Sequence, residues 1–239
     1  EENLDAAAQR LAECEVVELV QFSTQIAKPK VTATEIDPLE MATTRAEKVP
    51  FDDTLLPRQW HYYNDGTVDF PNAKAGADIN LFAAWELTTG RPDVVVAIVD
   101  EGVCYTHKDL QANMHVNEAE KYGVEGVDDD ENGYVDDVYG YNFYANSPII
   151  TFGDGHGTHV AGTVAAVNNN GLGVAGVAGG SGNGDGVRIM SIQIFDGEDN
   201  STFTTNARGV EYAADNGACI LQCSWGYPQS AAATTDADY

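Results

Sequence analysis

The chain has 239 residues, 43% of them hydrophobic, with 38 acidic against 12 basic side chains and a formal net charge of −26. That length holds one domain plus an extension, or two small domains, and buries a real core, while that charge repels nucleic acid and anionic membrane surfaces. No run approaches the ~18 consecutive apolar residues of a membrane helix, and Glu1-Glu2-Asn3-Leu4-Asp5 lacks the basic-then-apolar pattern of an export signal.

Residues 1–49 differ in character from the rest of the chain. Ala6 to Ala12 favours helix, and Glu15 to Val20 favours strand. Residues 27–50 carry three prolines and no period, which predicts linker. Val94-Val95-Val96-Ala97-Ile98-Val99 has strand length and stops at Asp100. A loop rich in Asp, Asn, Gly and Tyr runs to about residue 150. Residues 156–167 are small and nearly all apolar, which predicts a buried helix. Residues 187–194 alternate apolar and polar, a strand pattern. A helix is predicted over 202–216, capped by Ser201 or Thr202, with Phe203, Ala207, Val210 and Ala214 on its inner side and Gly217 past its end. Residues 218–223 form a further strand. Strands alternating with helices imply a parallel α/β sheet. The four cysteines, at 14, 104, 219 and 223, lack metal-ligand spacing. Cys219 and Cys223 lie about 13 Å apart along a strand, too far for a disulfide.

Residues 154–163 read Asp-Gly-His-Gly-Thr-His-Val-Ala-Gly-Thr. Glycines flank His156 and leave its ring reachable, and an apolar helix starts there. Asp100 closes a strand, and ligands of parallel sheets bind beyond carboxyl strand ends. A carboxylate at a strand end and an imidazole at a helix start are two members of an acid–base–nucleophile triad. The histidine block resembles that of the subtilisin-like serine proteases (subtilases), and Asp100-Glu101-Gly102-Val103 resembles their aspartate motif, with Glu101 where Thr or Ser is usual. The resemblance implies Asp100 and His156 as catalytic residues on a three-layer, mainly parallel α/β fold. It also implies a serine in a Gly-Thr-Ser block, which these residues lack, so the serine and the C-terminal part of the domain are expected outside this sequence. His159, one turn after His156, has no third metal ligand in a recognisable pattern, and the resemblance makes it structural.

Cys223-Ser224-Trp225-Gly226 resembles the family's Ser-Leu-Gly strand, which pairs with the substrate backbone. Asp199-Asn200-Ser201 occupies the place of the opposite edge. Asp199, Asn200, Ser224, Trp225 and Gly226 are thus the implied substrate-binding residues, with core packing the competing role for Trp225.

Asp128-Asp129-Asp130-Glu131-Asn132-Gly133-Tyr134-Val135-Asp136-Asp137 holds oxygens at alternating positions and a glycine for the turn, the first half of a calcium loop. The expected ligands are Asp128, Asp130, Asn132, the Tyr134 carbonyl and Asp136. A solvated acidic loop is the competing reading. The resemblance implies a second calcium site at residues 167–174. Its ligands would be the carbonyls of Val167, Leu172 and Val174, the Asn169 side chain, Asp109 and an N-terminal acid, Asp52.

The sequence therefore predicts a secreted or cell-envelope (periplasmic) serine endopeptidase stabilised by calcium. Residues 50–239 would form the N-terminal two thirds of its catalytic domain, and residues 1–49 an extension that either resembles the tail of a propeptide or is an ordinary ordered segment packed on the surface. Its expected partners are polypeptide substrates, the remainder of the domain and its own propeptide, with no nucleic acid and no membrane span. The alternative is a non-catalytic homologue acting as a calcium-stabilised binding or regulatory module.

Overall fold

The computed structural model describes residues 49–67, 73–195 and 201–226. The expected extension, Asp199 and Asn200 lie outside them. In chain order the regular elements are α1 (Leu81–Trp85), β1 (Val95–Asp100), α2 (Glu118–Tyr122), β2 (Gly140–Asn142), α3 (His156–Ala165), β3 (Arg188–Gln193), α4 (Phe203–Asp215) and β4 (Ile220–Gln222), with short 3-10 turns at Leu56–Arg58 and Gln111–Asn113. The strands form one sheet in the order β2-β3-β1-β4. All pairings are parallel; β1 meets β3 from Val95↔Arg188 to Asp100↔Gln193.

β1 is buried on both faces, as expected for a parallel strand. Val96 and Ile98 pack with Ala161 and Ala165 of α3, while Ala97 and Val99 pack with Tyr212 and Ala213 of α4. The period-2 alternation thus assigns one face to each helix, giving three layers. Asp100 continues the face of Val96 and Ile98, which is the face α3 covers. A third cluster, Leu56, Tyr62, Leu81, Trp85 and Ala175, joins the N-terminal segment to the chain following α3. Its polar groups are satisfied: Tyr62 Oη donates to Ala175 O at 3.0 Å and Trp85 Nε1 to Val177 O at 2.8 Å. Burial pushes the Tyr62 phenol up to about 12.

The inner face of α4 differs from the expected one. Asn206, Gly209, Tyr212 and Ala213 are buried, whereas Ala207, Val210 and Ala214 are exposed. Hydropathy ranks Val210 above these residues, yet Gly209 allows close approach to β3: a Cβ there would sit 2.8 Å from Ile192 Cγ2. Tyr212 is satisfied in the core by Asp137 and the Asn206 Oδ1 by the Ser201 hydroxyl, while Asn206 Nδ2 is buried with no hydrogen-bond partner among the described residues. Thr202 is the N-cap, accepting the Thr205 N–H at 3.2 Å. The loop between β1 and α3 holds α2 and β2, both shorter than a sequence period can reveal.

His115 gives the fold a pH dependence. It follows Met114, which bridges to Ile189, and its N–H donates to Ile189 O. Burial, then the charge of Arg188, holds its imidazole below the ordinary histidine range. The folded chain therefore binds this proton less tightly than the unfolded chain, and stability is lost as pH falls through about 6.5, the unfolded value. The raised carboxyls of Asp53 and Asp137 act in the opposite sense, so we expect the His115 share to show as a difference: acidification from pH 7 to 5 lowers the melting temperature of the native chain relative to that of His115→Gln. His61, also lowered by burial, supplies part of the remaining slope. An unchanged slope in His115→Gln would show that this residue does not carry the effect.

Candidate active site

Asp100 is the last residue of β1 and His156 the first of α3. Fifty-six positions apart in sequence, they meet through His156 Nδ1, which lies 2.8 Å from Asp100 Oδ1 and 3.0 Å from Oδ2. Asp100 is 0% and His156 6% exposed. An ionised carboxylate only accepts, so Nδ1 carries the proton and the Nε2 lone pair is left available. Asp100 Oδ1 also accepts the Glu101 N–H at 2.8 Å. Glu101, the residue that departs from the family pattern, has a fully buried side chain.

Neighbouring loops are pinned by polar residues of β3 that in the sequence mark only a strand. Ser191 Oγ accepts the Val103 N–H just after Asp100, at 3.0 Å. Gln193 Oε1 accepts the Thr151 N–H at 2.8 Å, and its Nε2 donates to Thr151 Oγ1 at 2.7 Å, ahead of His156. Polar side chains inside a strand buried on both faces were the available signal, because such groups need partners. Thr158 Oγ1, in the first turn of α3, accepts the Cys104 N–H at 2.9 Å.

Gly157 lets the helix start dock on the aspartate loop. A Cβ there would fall 2.4 Å from Gly102 O and 3.1 Å from Asp100 Oδ1. Gly102 itself has φ of 102°, and a Cβ on it would meet Thr151 O at 2.0 Å. Gly157→Ala must therefore separate α3 from Asp100. A misplacement of about 1 Å costs on the order of 10² in rate, and in the complete polypeptide we expect a loss of at least that size in the kcat/KM of any reaction that uses this pair, while the fold persists by circular dichroism. Wild-type turnover in Gly157→Ala would show that the contact is not limiting.

Ser224, Trp225 and Gly226 follow β4, next to β1. Trp225 packs against the core cluster of β1, β3 and α4, with its ring 6.4 Å from Phe195. Its indole N–H donates to Val99 O at 2.7 Å, so this side chain braces the strand that ends in Asp100. Ser224 Oγ accepts from Gln222 Nε2 at 2.9 Å. His159 is exposed and, with His61 and His107, lines a cavity of about 690 Å³ whose lining does not include His156. Cys104, Cys219 and Cys223 are free thiols.

Acidic residues converge in two places. Among the described residues, the ligand-type group whose atoms lie within 4.8 Å of one another is Glu120, Asp130 and Asp137. Of the five residues expected at this loop, Asp130 belongs to the trio. Asp128 instead accepts the Asn132 and Gly133 N–H groups, and Asp136 accepts the Gly126 N–H. Asn132 donates its amide to Asp130, Asp137 and Asn216, and the Tyr134 N–H donates to Asn132 Oδ1. Glu120 comes from α2, an element the sequence did not reveal. It is 6% exposed and accepts the N–H groups of Asp129, Asp130 and Asp136. Asp137 is 1% exposed, and burial pushes its carboxyl up against donation from Tyr212, Asn132 and Asn117.

The second place is the loop after α3. Asp109 Oδ2 accepts the Val174 N–H at 3.0 Å and Oδ1 accepts Asn170 Nδ2 at 2.8 Å, while Asp109 O accepts the Val167 N–H. Asp52 Oδ1 accepts the Gly171 N–H, and Asn169 Oδ1 accepts the Asp52 N–H at 3.4 Å. Leu172 is exposed, its N–H donating to Asn170 Oδ1. The buried N-terminal acid, however, is Asp53, which accepts the N–H groups of Asn169 and Asn170. Burial raises its carboxyl despite these two donors, with further push from Asp109 and Asp52.

Comparison with known proteins agrees with this architecture. The model of the subtilase family matches residues 91–238. Subtilisin-like protease 1 of Plasmodium vivax is 51% identical over 84 residues, covering 35% of this chain and 13% of that protein. Its Plasmodium falciparum (isolate 3D7) counterpart is 38% identical over 124 residues, 51% of this chain and 17% of that protein. Thermitase of Thermoactinomyces vulgaris is 33% identical over 143 residues, 60% of this chain and 40% of that protein. The chain thus spans well under half the length of these relatives. The crystal structure of fervidolysin from Fervidobacterium pennivorans superposes with a TM-score of 0.53 at 24% identity, over 86% of this chain and 27% of that one, a likeness of fold. With a family match over most of its length and the fold to accompany it, the chain belongs to the subtilase family.

Proposed function

We propose that the chain is the part of a serine endopeptidase that carries the base and its orienting acid. The observation that carries this reading is the buried His156–Asp100 pair, with Nδ1 engaged and Nε2 available. His156 Nε2 takes the proton of a serine hydroxyl as that oxygen attacks a peptide carbonyl. The same nitrogen then returns the proton to the leaving amine. Asp100 holds the ring in the required tautomer and stabilises the imidazolium between the two transfers. The serine is supplied by a segment outside these 239 residues. Ser224 to Gly226, with Asp199 and Asn200, border the bound peptide, and Trp225 keeps that border fixed to β1. Peptide hydrolysis by the complete polypeptide, and none by residues 1–239 alone, is the expected result. Turnover by residues 1–239 alone would overturn it.

The acid trio and the loop after α3 suit calcium, a hard cation that takes carboxylate and carbonyl oxygens. When bound, calcium neutralises the converging carboxylates and ties their segments together; it takes no part in the proton transfers. Glu120, Asp130 and Asp137 would hold one ion. Asp52, Asp53 and Asp109, with the carbonyls of the 167–174 loop, would hold another. The enzyme is proposed to act outside the cytoplasm, a reading supported by relatives such as the halolysin-like extracellular serine protease Nep of Natrialba magadii, 31% identical over 152 residues. Among the described residues no helix is long and apolar enough to cross a membrane. Residues 1–49 are proposed to be a propeptide tail, with the maturation cut in the linker.

A further inference from the structure

The acid loop is bound to helix α4 by side chains that the proton transfers do not use. Asp137 Oδ2 accepts the Tyr212 hydroxyl at 2.5 Å and Asn132 Nδ2 at 2.9 Å, and Oδ1 accepts Asn117 Nδ2 at 2.8 Å. Asn132 Nδ2 also donates to Asn216 Oδ1 at 3.2 Å, on the residue that caps α4. Asn216 Nδ2 in turn donates to Tyr212 O at 3.0 Å. The Tyr134 ring meets Tyr212 edge-on at 4.9 Å. The contacts to Tyr212 and Asn216 converge on the C-terminal end of one helix.

The donors also fix where each acid is still open. A carboxylate offers about four lone-pair directions. Asp137 receives the three donors just named. Glu120 receives three N–H groups. Asp130 receives three as well, the Asn132 N–H on Oδ1 and the amides of Asn117 and Asn132 on Oδ2. Asn132 Nδ2 has two hydrogens to share among Asp130, Asp137 and Asn216, so each acid keeps at least one open direction, and their ligand atoms lie within 4.8 Å of one another. Asp137 would be one of the residues to hold a cation there, and Tyr212 donates to its Oδ2. Tyr212 is 3% exposed and packs with β1 and β3, so it cannot shift independently of α4. That helix precedes β4 and the Ser224 to Gly226 border.

We propose that Tyr212 is a positioning residue for the loop cation, and that cation occupancy is thereby coupled to helix α4 and to the peptide border it leads into. The inference rests on the calcium reading of the trio. Partners that orient a ligating carboxylate typically govern 10–100-fold in metal affinity, and such coupling acts in both directions.

The test uses the complete polypeptide and calcium alone, with calorimetric titration and amide hydrogen exchange in the presence of calcium or a chelator. In the native chain, calcium is expected to slow exchange over 203–215 as well as over 118–137. Tyr212→Phe is expected to weaken calcium binding about tenfold and to lose the slowing over 203–215 while keeping it over 118–137. Asn216→Ala cuts the other tie without opening the core, and is expected to do the same to a smaller degree; it decides the matter should Tyr212→Phe not fold. Protection confined to 118–137 in the native chain, or native calcium affinity in both variants, overturns the coupling and leaves the calcium site standing. Calcium binding that is absent, or indifferent to Glu120→Gln and Asp130→Asn, overturns the site and the coupling together.

Discussion

His156→Ala in the complete polypeptide is expected to lower kcat by roughly 10⁶, the order measured when the base is removed from a subtilisin triad. The reason lies in the pair itself. Nδ1 is committed to Asp100, so Nε2 alone can move a proton, and the other four histidines lie elsewhere: His61, His107 and His159 line a cavity that excludes His156, and His115 is hydrogen-bonded to Ile189 of β3. Asp100→Asn should cost less, roughly 10⁴. Its amide keeps the shape but can donate to Nδ1, which moves the imidazole proton to Nε2 and blocks the base. KM should change little in either variant, because neither residue borders the peptide. Steady-state peptide hydrolysis measures both effects. Near-native turnover in His156→Ala would remove His156 as the base, whereas no turnover in the complete native polypeptide would favour the binding-module alternative.

Chelating calcium is expected to lower the melting temperature by roughly 5–10 °C per site. Binding to the native state alone contributes about 2.7 kcal/mol at a hundredfold excess over the dissociation constant. Each kcal/mol moves the midpoint of a domain of this size by about 2–4 °C. Asp130→Ala should remove the share of the trio and Asp109→Asn that of the loop after α3. Ionic strength must be held constant, since a net charge of −26 makes monovalent salt stabilising by screening alone. Identical melting curves with and without chelator would argue against both sites.

Asp100 and His156 were legible because their signals are local. A strand run ends in one, and a glycine-flanked helix start presents the other. The carboxylates were legible as a class but not as individuals. A ten-residue loop crowded with acids announces cation chemistry, yet the residues that converge depend on how the loop folds over α2. Glu120, a little upstream of Asp128, carried no signal of its own. Asp53 displaced Asp52 as the buried acid for the same reason: adjacent residues on an irregular segment point in different directions, and only packing chooses between them.

The sequence by itself determined the parallel α/β architecture, since apolar runs and small-residue helices alternate along the chain, and it singled out Asp100 and His156 as candidates, since strand end and helix start are local features; their contact across 56 positions is tertiary. Tertiary structure alone decided the inner face of α4, the role of Trp225 as donor to the Val99 carbonyl, and the tie from Tyr212 to Asp137. Gly209, Tyr212 and Trp225 each depend on a partner distant in sequence, which packs close against the glycine or accepts the Tyr or Trp donor. A polar group's place in the core is set by that partner, and hydropathy along one chain segment holds no record of it.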